Sequence, residues 1–161
     1  MEQNFKKQII EISNKGFPLN SYSKTIEQFL GTKPNIFSSG FQFPIMVLKD
    51  KALKHNIDRM ARFCKSVGAE LAPHVKTTMS PQIAQMQVDA GAFALTIANF
   101  WQAEIFRSFG FKKLIIANEV LDPTAIAAIA DLNSKKAAEI IFYVDSIAGL
   151  EIVKKYTPKD G

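Results

Sequence analysis

From Pro44 onward, short apolar runs recur with room for one helix between each pair: Ile45–Leu48, Leu71–Val75, Phe93–Ala98, Leu114–Ala117 and Ile140–Val144. They are rich in branched residues and nearly continuous, the pattern of a strand buried on both faces. Helical patterns separate them. Over Lys51–Gly68, Leu53, Ile57, Met60, Cys64 and Val67 fall at gaps of 4, 3, 4 and 3, one stripe of a 3.6-residue helix closed by a glycine cap. Further helices are predicted over Pro81–Ala90, Trp101–Phe109, Pro123–Lys135 and from Ser146 to about Tyr156. Ser80-Pro81 and Asp122-Pro123 give an N-cap before a first-turn proline, and Gly91 and Gly110 follow two of the helices.

Five strand–helix units in succession specify an α/β fold with a parallel sheet and right-handed crossovers. Two architectures fit: an open doubly wound sheet, or part of a (β/α)8 barrel. The turn after the first run, Leu48-Lys49-Asp50-Lys51, lacks the glycine pattern of a dinucleotide fold, and no phosphate loop of the Gly-x-x-x-x-Gly-Lys-Ser/Thr type occurs. Five units cannot close an eight-stranded barrel, which needs about 250 residues. Residues 1–43 read as an N-terminal extension, with a short amphipathic pattern (Phe5, Ile9, Ile12), a turn at Gly16-Phe17-Pro18 and a short helix over Thr25–Leu30. Residues 44–161 carry the repeating units.

Composition narrows the function classes. Hydrophobic residues make up 47% of the 161, with 13 phenylalanines, which excludes a disordered chain. The net charge of +5 comes from scattered lysines with only three arginines, Arg59, Arg62 and Arg107; this is not the clustered stripe that tracks phosphates, so no nucleic-acid partner is expected. The single cysteine, Cys64, sits on the helical stripe as a small core residue and fits a reducing, cytoplasmic setting. No apolar run reaches the roughly 18–20 residues of a membrane helix, and the opening MEQNFKKQIIEISNKG lacks a signal-peptide core. No His/Cys/Asp cluster has metal-ligand spacing, so no metal is expected in this segment.

Ligands of parallel α/β folds collect at the carboxyl ends of the strands. There the second run is unusual: Leu71-Ala72-Pro73-His74-Val75-Lys76-Thr77-Thr78-Met79-Ser80-Pro81 carries a histidine and a lysine two residues apart. On a strand they would share a face, roughly 6–7 Å apart along it. An apolar cavity disfavours an ammonium and leaves a nucleophilic amine able to condense with a carbonyl. The plain alternatives are a lysine that exits to solvent and a satisfied, partly buried histidine. Thr96, Asn99, Asn118 and Glu119 lie at other strand ends; Asp122 and Ser146 read as helix caps, and for Asn99 and Asn118 lining and capping are evenly matched.

The run Pro73-His74-Val75-Lys76-Thr77 resembles the Pro-His-x-Lys-Thr signature of pyridoxal-phosphate enzymes with an alanine-racemase-type barrel, the D-serine dehydratase and D-threonine aldolase group. Its continuation Thr78-Met79-Ser80-Pro81-Gln82 is most similar to the bacterial amino acid deaminases, or D-serine deaminase-like proteins. Lys15–Leu19, Pro44–Leu48, Leu53–Ile57, Asp89–Ala92, Thr96–Ala98 and Ile115–Val120 agree in order. The resemblance implies a partial (β/α)8 barrel of about five units, with pyridoxal 5′-phosphate held as a Schiff base on Lys76 and His74 beside its ring. Thr96, Asn99 and Asn118 would at most line the mouth.

The implied reaction is a D-amino-acid deamination, with a released Lys76 amine taking the α-proton and loss of a β-hydroxyl giving a keto acid and ammonia. Retro-aldol cleavage to glycine and an aldehyde is the alternative. The group's members continue through the rest of the barrel into a β-rich domain, which would supply most phosphate loops, the group facing the pyridine nitrogen and any metal ligands, and the full-length form would be a homodimer. On this resemblance the chain is expected to be a truncated form, as a deaminase portion or as a non-catalytic cofactor-binding or inert fragment.

Overall fold

The computed structural model describes residues 5–157. The chain falls into two compact units, one up to Lys49 and one from Asp50.

In the first unit, Ile9 and Thr25 form an antiparallel bridge, and Ile10 is fully buried with its N–H on the Lys24 carbonyl (2.8 Å). Thr25 opens helix α1 (Ile26–Gly31) with a reciprocal cap: its hydroxyl accepts from the Gln28 N–H, and the Gln28 side chain accepts from the Thr25 N–H. Phe29, buried on α1, meets Phe17 and Phe41 edge to face at 5.5 and 5.9 Å. Gly16 is required where it stands: its φ is +90°, and a Cβ there would come within 2.3 Å of Ile45 Cγ2.

The second unit holds a parallel sheet of three strands in the order β1 (Leu95–Ile97), β2 (Lys113–Glu119), β3 (Glu139–Tyr143). Its helices are α2 (Asp50–Val67), α3 (Pro81–Asp89), α4 (Phe100–Ser108), α5 (Pro123–Ser134) and α6 (Ile147–Tyr156). Each starts or stops where local chemistry dictates. Ser80, Asn99, Asp122 and Ser146 accept the N–H three residues on, at the starts of α3 to α6. Gly68, Gly91 and Gly110 take positive φ after α2, α3 and α4.

Leu114 pairs with Leu95 and Ile140, and Ile116 with Ile97 and Phe142, so these side chains share one sheet face. There they pack with Ala84 of α3, Ala103 and Phe106 of α4, and Ile126 and Ile129 of α5 as one core cluster. Asn133 ties α5 to β3, its side chain accepting from the Ile140 N–H and donating to the Ile140 carbonyl (2.8 and 2.9 Å).

Three of the five expected strands are therefore formed. Leu71–Val75 is extended and hydrogen-bonded to β1 but makes only one bridge, His74 to Thr96. Ile45–Leu48 pairs with no strand among the described residues, and Met46 is 96% exposed. Burial on both faces also holds only in part. β1 is buried throughout, whereas along β3 Ile140 is buried and Ile141 and Tyr143 are exposed, because the helices cover one face of the sheet. The α2 stripe is the second departure: no residue of α2 is buried, Leu53, Ile57 and Cys64 are half-covered, and Met60 and Val67 are exposed.

Candidate active site

In a parallel sheet all the strands end on the same side, which gathers the segments after Val75, Ile97, Glu119 and Tyr143 at one edge. Leu71–Val75 reaches that edge alongside β1. The Phe93 N–H donates to the Leu71 carbonyl (2.8 Å), the Thr96 N–H to the Pro73 carbonyl (2.8 Å), and the Val75 N–H to the Thr96 carbonyl (2.9 Å). Val75 is buried in the core under the helices. His74, its neighbour in an extended segment, projects to the opposite face together with its bridge partner Thr96. This is the face that the helices leave open.

The strand direction ends at Lys76. The Val75 carbonyl accepts from the Met79 N–H (2.9 Å), closing a turn over Lys76–Thr78, and Met79 leaves it at φ +45°, where a side chain is disfavoured. Ser80 then caps α3. Lys76 is exposed and forms no ion pair among the described residues, and His74 is exposed. The apolar surroundings expected for the lysine amine are thus not supplied by residues 5–157, because the turn carries it past the end of the sheet into solvent.

The other candidates separate. Asn99 is a cap: its side chain accepts from the Gln102 N–H (3.0 Å) while Gln102 returns the bond to the Ala98 N–H (2.8 Å). The Asn118 side chain accepts from the adjacent Glu119 N–H (3.1 Å). Asp122 and Ser146 cap α5 and α6 as their sequence context suggests. Among the described residues no group of three or more His, Cys, Asp or Glu side chains could hold a metal ion, and no helix is long and apolar enough to cross a membrane.

A cavity of about 860 Å³ lies between the α2 stripe (Leu53, Ile57, Met60, Cys64) and Leu71–His74. It reaches His74 but not Lys76. A groove this apolar, along a helix with no buried residue, is the open packing face of α2 rather than a place for condensation chemistry.

No family model matches the chain. It is 27% identical over 129 residues to the 3-hydroxy-D-aspartate aldolase of Paracoccus denitrificans, covering 80% of this chain and 33% of the relative. It is also 27% identical over 118 residues to the D-threo-3-hydroxyaspartate dehydratase of Delftia sp. strain HT23, covering 73% and 30%. The crystal structure of D-threonine aldolase from Filomicrobium marinum superposes with a TM-score of 0.66 at 28% identity, over 73% of this chain and 31% of that one. The chain is similar to proteins of the D-serine dehydratase and D-threonine aldolase group, over their N-terminal portion. The fold agrees with an ala racemase-like protein of Idiomarina loihiensis, at a TM-score of 0.57 and 25% identity over 65% and 27% of the two chains. The chain spans about a third of the length of the curated relatives it matches.

Proposed function

We propose that this chain is the lysine-bearing portion of a pyridoxal-phosphate-dependent lyase acting on D-amino acids with a β-hydroxyl group, built as the first part of a (β/α)8 barrel. The single observation that carries the reading is Lys76 itself: an accessible primary amine, without an ion pair among the described residues, at the carboxyl end of an extended segment held parallel to β1. The donor set fits the cofactor. Lys76 offers the amine that condenses with an aldehyde, and His74 lies two residues before it, on the face that the helices leave uncovered. The cofactor supplies an electron sink for a carbanion at Cα. Lys76 would anchor it and, once released, hold the proton taken from Cα; His74 would orient the ring from beside it.

The two curated relatives are both named for a 3-hydroxyaspartate, which supports a substrate with a hydroxyl on Cβ. In the deaminating outcome the Cα–H and Cβ–O bonds break, water leaves, and hydrolysis of the resulting enamine gives a keto acid and ammonia. Carbon–carbon cleavage, giving glycine and an aldehyde, is the second reading, and two relatives named as aldolases favour it. Incubation with pyridoxal phosphate and D-threo-3-hydroxyaspartate separates the two. Ammonia with a keto acid supports the first, glycine with an aldehyde supports the second, and neither product, or product undiminished in Lys76→Ala, overturns both.

A further inference from the structure

We infer that Thr96 is the positioning residue for the Lys76 turn, acting through its side-chain hydroxyl; this rests on the reading of Lys76 as the anchoring amine. Leu71–Val75 is poorly equipped to hold itself to the sheet. It forms one bridge rather than a ladder, and Pro73 has no N–H to donate. Four hydrogen bonds fasten it to the β1 side: Phe93 N–H to Leu71, Thr96 N–H to Pro73, Val75 N–H to Thr96, and Thr96 Oγ1 to the Ala72 carbonyl at 2.8 Å. Three of these four use Thr96, two through its backbone and one through its hydroxyl.

Thr96 is 4% exposed, a buried polar residue in the apolar run Ala94–Ala98. A buried hydroxyl without a partner is costly, so its bond to Ala72 fixes both ends. The tether reaches the lysine through the backbone of the 72–75 segment. Val75, held by the Thr96 carbonyl, is the residue whose own carbonyl closes the Lys76–Thr78 turn onto Met79. Losing the hydroxyl frees Ala72, lets the 72–75 segment shift against β1, and with it the position of the Lys76 amine.

The test compares wild type, Thr96→Val and Thr96→Ser in the full chain, using amide hydrogen exchange and borohydride trapping of pyridoxal phosphate on lysines. Thr96→Val is expected to speed exchange at Val75 and Met79 by about tenfold, with β2 and β3 amides unchanged, and to lower trapping at Lys76 relative to the other lysines by a similar factor. Thr96→Ser keeps the hydroxyl and is expected to restore both. Wild-type exchange at Val75 in Thr96→Val, or acceleration spread evenly over the sheet, overturns the assignment. So does accelerated exchange in Thr96→Ser, a result that stands even where Thr96→Val fails to fold. If wild-type Lys76 traps no more cofactor than other lysines, the anchoring reading fails while the exchange data still judge the tether.

Discussion

The β1–β3 sheet with α4 and α5 and the pair formed by α2 with Leu71–Val75 are written in the same sequence language, apolar stripes at helical spacing beside branched runs. They end up in different states. Phe106, Leu114, Ile116 and Ile126 are essentially inaccessible, whereas α2 has no buried residue and faces an apolar groove of about 860 Å³. A stripe specifies which side of a helix seeks cover; it does not supply the surface that covers it. Where the runs flanking a helix pair with each other as strands, as β2 and β3 do on either side of α5, the sheet supplies that surface and the core closes.

The contrast can be broken by mutation. Phe106→Ala removes a ring at 0% exposure that packs edge to face on Phe111 at 5.7 Å. It is expected to cost about 3–5 kcal/mol in urea denaturation. Asp122→Ala removes the acceptor for the Ala125 N–H (2.7 Å) and should cost about 1 kcal/mol. Lys136→Gly should stabilise by about 0.5–1 kcal/mol, because exposed Lys136 holds φ +52° just past the end of α5. On α2, Met60→Ala should change stability by no more than about 0.5 kcal/mol. A loss comparable to Phe106→Ala would mean that the α2 stripe is buried after all and that the comparison fails.

Much of this was legible in the residues. The cap signals Ser80-Pro81, Asp122-Pro123 and Ser146 placed three helix starts correctly, since a capping oxygen three residues before its N–H is a local interaction. The runs at Phe93, Leu114 and Ile140 became strands because each has a neighbour to pair with. The run at Ile45 has the same composition and no described partner, and hydrophobicity alone does not distinguish the two cases. At the candidate site, the motif marked Lys76 and His74, but the alternation rule carried one residue too far. The rule presumes a strand through Lys76, and the Val75–Met79 bond turns the chain there. Thr96 was visible as a lone polar residue in an apolar run; that it reaches back 24 residues to Ala72 is tertiary information no local pattern holds.

The most direct measurement is the site and stoichiometry of cofactor attachment. Purified chain incubated with pyridoxal 5′-phosphate, reduced with borohydride and mapped by peptide mass should carry one pyridoxyl group, on Lys76, with the accompanying absorbance band at the edge of the visible lost in Lys76→Ala. Label spread over the surface lysines, with the band unchanged in Lys76→Ala, would contradict the account.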